Sequence, residues 1–163
     1  MSDSAIQDLY PEEYAHCYGC GRNNPHGMHL KSYWEGEECV CRYRPGDQYS
    51  GGIPGFLYGG MTASLIDCHG AATAAAAKAK ESGEPIARFV TASLKVDYLE
   101  PTPLGVELEV RGRVAEMKGR KVTEPEAVGG RHRVRHRAGP DDPVAARGLK
   151  QIHKRRAVLP TRS

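Results

Sequence analysis

The fold is decided by the stretch Gly59-Gly60-Met61-Thr62-Ala63-Ser64-Leu65-Ile66-Asp67. Its two glycines open a helical pattern that runs to about Lys80, and Ser82-Gly83 supplies residues that commonly end a helix. From Phe56 to Ala77 nearly every side chain is apolar or small. This composition predicts a helix that other structure covers on all sides.

Asp67 is an acid placed two turns inside this apolar helix. An ionised carboxylate is costly to bury alone, so Asp67 is predicted to be paired, protonated or used in chemistry. The start of a helix carries backbone N–H groups without acceptors, and such groups can stabilise an oxyanion. An acid near these donors points to acyl-transfer chemistry.

At 163 residues the chain is predicted to form one domain, but its charge divides along the sequence. Residues 1–121 hold 13 Lys and Arg against 16 Asp and Glu, whereas residues 122–163 hold 10 against 4. All 11 aromatic residues precede position 122, so the basic end can bury little apolar surface. We therefore predict an ordered domain over residues 1–123 and an irregular or poorly packed tail over residues 124–163.

The amino-terminal residues 1–8 show no basic segment followed by an apolar run, so we expect no secretory signal and a cytoplasmic location. The apolar run from Leu57 to Ala77 is interrupted by Asp67 and His69, which argues against a membrane span. Five cysteines without an export signal are interpreted as free thiols.

Alternating apolar and polar residues predict strands on both sides of the helix. Before the helix, residues 28–34 and 39–43 flank the turn Glu35-Gly36-Glu37 and predict a hairpin. After the helix, strands are predicted over residues 88–99 and 106–117, and a further strand begins in 119–123. This order predicts an α+β fold in which an antiparallel sheet curls around a central long helix.

Three motifs in this order resemble hotdog-fold acyl-CoA thioesterases of the PaaI-like group, in the 4-hydroxybenzoyl-CoA thioesterase superfamily. They are the loop from His16 to Met28, the helix from Tyr58 to Gly70, and the predicted strand from Phe89 to Pro103. The resemblance covers about residues 14 to 122. It implies hydrolysis of acyl-CoA or aryl-CoA thioesters to a carboxylic acid and free coenzyme A. It also implies a homodimer or homotetramer whose active site forms between subunits, with no metal or organic cofactor.

The resemblance assigns the central roles to Asp67 and Gly59. Many relatives carry His where this chain has Tyr58, and an acid nine residues later, here Asp67, acts as nucleophile or general base. Because Tyr58 replaces that His, no imidazole role is carried over. The backbone N–H of Gly59, with that of Gly60 as a second candidate, is expected to polarise the thioester carbonyl. A structural carboxylate satisfied by a partner is the other interpretation of Asp67.

Other residues are assigned to the site with structural alternatives beside them. Thr91 matches a Ser that orients the attacking water in some relatives, although Thr is also a good strand former. Arg88 is a candidate for binding coenzyme A phosphates, or simply a solvated charge at the end of a strand. Tyr58 and the small Ser64 beside Asp67 are assigned to substrate binding.

His69 and the cysteines favour structural interpretations. His69 lies about 200° from Asp67 around a helix, so it is predicted to be a packed core histidine. The pairs Cys17/Cys20 and Cys39/Cys41 could form a four-thiolate zinc site, but a single residue between ligands in a strand is poor chelate geometry. We therefore predict no metal.

The tail has a cationic residue at every second position from Arg131 to Arg137, a pattern that could bind the phosphates of a nucleic acid. It has no aromatic stacking residues and no nucleic-acid-binding module, so no such partner is predicted. The composition changes abruptly after Val122. A shifted reading frame in a GC-rich gene would produce such a change, and resequencing of the gene tests this hypothesis. Together with Tyr58, this change leaves a non-catalytic acyl-CoA-binding or structural domain as the alternative function.

Overall fold

The long helix begins and ends where the sequence predicts. The computed structural model describes residues 4–118, 121–123 and 135–136. Helix α1 spans Gly59–Ser82 and is closed by Gly83, whose N–H donates to the Ala79 carbonyl at 2.9 Å. Gly83 has a φ of 72°, a left-handed conformation that glycine adopts without the strain of a Cβ. The predicted helix is thus confirmed.

The strands form one four-stranded antiparallel sheet and one separate pair. They are β1 (Ser32–Glu35), β2 (Glu38–Tyr43), β3 (Leu108–Gly112), β4 (Glu116–Lys118), β5 (Lys121–Thr123) and β6 (Arg135–His136). The sheet has the order β1-β2-β3-β6, and β4 pairs with β5. Gly36, at a φ of 61°, makes the turn of the β1-β2 hairpin, which confirms the predicted hairpin.

Helix α1 packs against the inner face of the four-stranded sheet. Leu65 of α1, with Leu108 and Val110 of β3, is fully buried in the shared core. The alternate residues Glu109 and Arg111 are only half-buried and form an ion pair on the outer face, with Arg111 Nε 2.7 Å from Glu109 Oε1. This alternation is the mark of a sheet with one solvated side. The fold is therefore the predicted antiparallel sheet around a long central helix.

The segment after α1 is not a strand, so the prediction for residues 88–99 was wrong. Val90 is 83% exposed and Leu99 is 71% exposed. A strand needs a neighbour that accepts and donates its ladder hydrogen bonds, and among the described residues no strand runs beside this segment. Just beyond the segment, the Leu57 N–H donates to the Thr102 carbonyl at 2.8 Å.

The predicted strand over residues 106–117 is divided into β3 and β4, and the strand predicted in 119–123 is confirmed over Lys121–Thr123. Within the predicted tail, the two residues Arg135–His136 pair with Leu108 and Glu109 on the open edge of β3. Residues 124–134 and 137–163 lie outside the described residues, so the domain boundary at 123 stays a prediction. In the described part of the chain, no helix combines the length and the apolar character that a bilayer crossing requires.

Candidate active site

The start of α1 presents backbone donors to the surface. Tyr58 is the N-cap residue, and no side chain caps this end of the helix. The Tyr58 carbonyl accepts the N–H groups of Met61 at 2.9 Å and Thr62 at 3.3 Å. The N–H groups of Gly59 and Gly60 precede them and have no acceptor within the helix. These donors and the positive end of the helix dipole favour an oxygen that carries negative charge.

The side chain of Tyr58 covers this end of the helix. A Cβ placed on Gly60 would lie 2.4 Å from the Tyr58 ring, so the ring rests directly against the Gly60 backbone. Tyr58 itself is 59% exposed, and its own N–H donates to the Tyr49 carbonyl at 2.8 Å. Tyr58 is therefore positioned to contact a ligand that reaches the helix start.

A cleft of about 260 Å³ opens beside these donors. This volume is slightly below the usual range of small-molecule pockets. The Thr62 hydroxyl is buried, lines the cleft and has no hydrogen-bond partner among the described residues. A buried hydroxyl without a partner is costly, so this atom favours a ligand or water in the cleft. The lining residues are Leu57, Gly59, Thr62, Tyr98, Leu99, Glu100, Pro101 and Thr102.

Asp67 lies on a stripe of α1 that the rest of the domain leaves partly open. Its carboxylate is half-buried, and within the described chain it forms no hydrogen bond and no ion pair. Ala63, Ser64 and Gly70, three or four residues from Asp67, and Gly60, seven residues before it, are also only half-buried. The prediction that α1 is covered on all sides is thus wrong along this stripe, because no described strand packs over it.

The other predicted site residues are placed less closely together. The Ser64 hydroxyl donates to the Gly60 carbonyl at 2.9 Å, so it is already engaged within the helix. Thr91 is exposed on the segment that forms no strand. Arg88 points elsewhere: its guanidinium carbon lies 5.0 Å from the centre of the Tyr10 ring, and Nη1 lies 3.7 Å from Cys20 Sγ. The roles of Thr91 and Arg88 toward substrate stay predictions.

His69 is a core residue, as its position on the helix predicts. It is fully buried, with Nε2 3.1 Å from the Cys39 carbonyl and Nδ1 2.9 Å from Ser32 Oγ. A carbonyl can only accept, so Nε2 carries a proton and donates to Cys39. Ser32 in turn accepts a hydrogen bond from Gln7 Nε2 at 2.9 Å. The histidine therefore joins the amino-terminal segment, β1, β2 and α1 rather than facing the cleft.

Sequence reasoning missed two features near the site. Thr62 and Tyr98 line the cleft, and the Tyr98 hydroxyl donates to the Gly59 carbonyl at 2.8 Å. Sequence reasoning also grouped Cys17 and Cys20 with Cys39 and Cys41. In the structure their neighbour is Cys68 instead, because the sulfur atoms of Cys17, Cys20 and Cys68 all lie within 4.8 Å of one another. Cys39 and Cys41 are on β2, outside this group. Spacing along the sequence gave no signal for Tyr98 or for Cys68.

Known proteins resemble this chain in sequence and in fold. Residues 54–123 match the family model of the Thioesterase superfamily. The solved structure of a thioesterase superfamily protein from Shewanella loihica PV-4 is 46% identical, with 69% of this chain and 81% of that chain covered and a TM-score of 0.53. A second solved thioesterase superfamily protein is 27% identical, with 66% and 52% covered and a TM-score of 0.52.

The chain belongs to the thioesterase superfamily, because it is 46% identical to the Shewanella loihica protein and covers 81% of that chain. It also resembles the acyl-coenzyme A thioesterase THEM4 of Xenopus laevis, with 40% identity over 83 residues. That match covers 51% of this chain and 33% of the relative, so the chain spans about a third of that protein's length.

Proposed function

We propose that this protein hydrolyses acyl-CoA or aryl-CoA thioesters to a carboxylic acid and free coenzyme A. Membership of the thioesterase superfamily and the likeness to an acyl-coenzyme A thioesterase support this reaction. The observation that carries the proposal is the half-buried carboxylate of Asp67, which has no partner among the described residues and lies on the same helix as the uncapped donors of Gly59 and Gly60. A carboxylate that no described group pairs is available for chemistry.

In the proposed reaction Asp67 acts as general base or as nucleophile. As a base it takes a proton from water, and the hydroxide attacks the thioester carbonyl. As a nucleophile its oxygen attacks the same carbon and forms an anhydride that water then hydrolyses. In both routes the Gly59 N–H, with that of Gly60, stabilises the oxyanion, and the coenzyme A sulfur leaves and takes a proton. Thr91 is proposed to orient the water, and Tyr58, Ser64 and Arg88 to contact the substrate.

The length of the helix supports a site that is shared between two chains. Asp67 follows Gly59 by eight residues, which is about 12 Å along a helix that rises about 1.5 Å per residue. A carboxylate and an oxyanion donor that act on one carbonyl must both lie within about 3 Å of the reacting atoms. We therefore propose a homodimer in which Asp67 of one chain faces Gly59 of the other, either alone or within a tetramer.

Two substitutions test the roles separately. Asp67→Asn is expected to lower kcat about 10²- to 10⁴-fold, which is the usual contribution of a catalytic base. Asp47→Asn, at an exposed acid in a short 3-10 helix, is the matched control and should leave turnover unchanged. Release of coenzyme A is measured with a thiol reagent over a panel of acyl-CoAs. Equal activity in the Asp67→Asn variant and the wild type would refute the proposed role.

Gly59→Pro removes the proposed oxyanion donor and keeps the helix. Proline suits the first position of a helix, and Tyr58 already has the extended backbone, with ψ of 128°, that the residue before proline prefers. We expect kcat to fall about 10²- to 10³-fold. Gly59→Ala keeps the N–H, and its Cβ would meet only the Tyr98 ring at an ordinary 3.4 Å, so it is the control. Equal losses in both variants would show that the N–H is not the donor.

Mixing the two inactive variants tests the shared site. A dimer of one Asp67→Asn chain and one Gly59→Pro chain has one intact site and one doubly altered site. Random exchange of equal amounts is therefore expected to restore about a quarter of wild-type activity. No recovery in a mixture shown to contain mixed dimers would exclude the arrangement across two chains.

The alternative is a non-catalytic acyl-CoA-binding domain, which the replacement of the relatives' His by Tyr58 favours. Wild-type protein that binds acyl-CoA in equilibrium dialysis but releases no coenzyme A from any member of the panel would establish this alternative.

A further inference from the structure

Three cysteines that are distant in sequence meet beside the proposed catalytic helix. Cys17 and Cys20 come from the loop before β1, and Cys68 follows Asp67 on α1. Cys17 Sγ lies 3.7 Å from Cys68 Sγ, and the three sulfur atoms lie within 4.8 Å of one another. Cys20 and Cys68 are buried, whereas Cys17 is half-buried and gives the group access to solvent.

Two glycines shape the loop around these sulfurs. A Cβ on Gly19 would lie 2.2 Å from Cys68 Sγ, so a side chain at this position would displace the helix cysteine from the loop. A Cβ on Gly21 would lie 2.4 Å from the Cys17 backbone nitrogen and 2.5 Å from the Ala15 carbonyl oxygen. The loop backbone is therefore folded tightly enough to hold the sulfurs of Cys17 and Cys20 beside the third.

The closeness of the three sulfurs favours a cation. These atoms lie within 4.8 Å of one another, and thiolates this close repel each other, so the three thiols do not ionise together without a positive charge between them. A divalent ion supplies that charge and lets all three thiols ionise.

We propose that Cys17, Cys20 and Cys68 bind one Zn²⁺ ion that fastens the loop to α1. In a tetrahedral site with Zn–S distances of about 2.3 Å, the sulfurs are about 3.8 Å apart, close to the 3.7 Å between Cys17 and Cys68. Three thiolates and one Zn²⁺ leave one net negative charge. The Arg88 guanidinium, with Nη1 3.7 Å from Cys20 Sγ, neutralises that charge.

The site differs from the one that the sequence offers. Its third ligand is Cys68 rather than the pair Cys39 and Cys41, and it departs from the expectation of no metal. Among the described residues, no His, Asp or Glu atom joins the three sulfurs as a fourth ligand. A water or another small ligand therefore takes the fourth position, which suits the half-buried side of the cluster at Cys17.

Metal content and cobalt spectroscopy on the full chain test the site. Reduced protein exposed to excess Zn²⁺ and then desalted is expected to retain one zinc per chain, with release of a proton from each thiol that was protonated. Replacement by Co²⁺ should give thiolate-to-metal charge-transfer absorption together with the visible bands of a tetrahedral ion. Retention of no zinc by folded, reduced protein would overturn the proposal, as would Co²⁺ spectra without thiolate bands.

Matched variants identify the ligands. Cys17→Ser and Cys68→Ser should each lose the bound zinc and the rise in Tm that zinc gives the wild type. Cys41→Ser alters a buried thiol outside the group and should retain both. Because Cys17 is half-buried, its variant should fold even if the Cys68 variant does not. Equal zinc retention by the Cys17 variant and the wild type would refute the assignment, as would a Cys17–Cys68 disulfide in place of metal.

Zinc content is measured independently of coenzyme A release. A protein that binds zinc but releases no coenzyme A would refute only the proposed thioesterase reaction, and an active protein that binds no zinc would refute only the metal site.

Discussion

The Tyr98 hydroxyl donates a 2.8 Å hydrogen bond to the Gly59 carbonyl, and this bond joins the exposed segment after α1 to the start of that helix. Tyr98 also lines the cleft. The bond therefore holds one wall of the cleft against the helix end whose N–H groups are the proposed oxyanion donors.

Tyr98→Phe is expected to weaken substrate binding more than turnover. An exposed hydrogen bond contributes about 0.5–1.5 kcal/mol, so KM should rise roughly two- to tenfold while kcat changes little. Separate measurement of kcat and KM checks this, with Tyr33→Phe, at a partly exposed tyrosine of β1, as control. A fall in kcat at constant KM would instead place the hydroxyl in the chemical step.

Gly112→Ala is expected to destabilise the core where β3 crosses α1. The added Cβ would lie 2.6 Å from Thr73 Oγ1 and 3.2 Å from His69 Nε2, both in buried side chains. Overpacking of this kind costs about 1–3 kcal/mol, to be measured from urea unfolding. Gly52→Ala is the control, because a Cβ there meets nothing within 4 Å. Equal stability of the Gly112 variant and the wild type would contradict the close packing.

His69→Leu is expected to lower stability because two buried groups each lose a hydrogen bond. The Cys39 carbonyl and the Ser32 hydroxyl lose their contacts with the ring, and a buried hydrogen bond lost in this way costs about 1–3 kcal/mol. His69→Gln keeps a donor for the carbonyl and should recover part of the loss in unfolding experiments. If His69→Leu kept its stability and lost turnover, the histidine would be catalytic rather than structural.

Glu38 is expected to make stability depend on pH in the acid range. Its carboxylate accepts hydrogen bonds from Arg111 Nη1 at 2.8 Å and Arg113 Nε at 2.6 Å, and the bond from Arg111 is the larger cause of its lowered pKa. A carboxylate whose pKa is lowered on folding stabilises the protein above its unfolded pKa, and this stabilisation is lost as pH falls through the folded pKa.

We therefore expect wild type to exceed Glu38→Gln in stability at about pH 6, by less than about 1 kcal/mol because the pair is near the surface. The difference should shrink as pH falls below about 4.5. Urea midpoints of both proteins across this range measure it, and Glu13→Gln, at an exposed acid of a 3-10 helix, is the control. A difference that stays constant with pH would show that the carboxylate charge contributes nothing.

Local signals predicted much of this fold. The glycines at 59 and 60, the apolar run and Ser82-Gly83 predicted α1 within two residues at its end, because caps and glycine conformations act over a few residues. The Gly36 turn predicted the hairpin for the same reason. Local signals could not decide whether residues 88–99 form a strand. Their alternation of apolar and polar residues is typical of a strand, but a strand also needs a neighbouring strand to pair with, and the sequence of the segment does not report one.

The sequence by itself determined the long helix, the hairpin and the position of Asp67 nine residues after Tyr58. Only the tertiary structure decided that Asp67 has no partner among the described residues, that Tyr98 reaches Gly59, and that Cys68 joins Cys17 across 51 residues. The physical reason is the range of the interactions. Helix ends and turns are set by adjacent residues, whereas a cleft or a sulfur cluster depends on how whole elements pack.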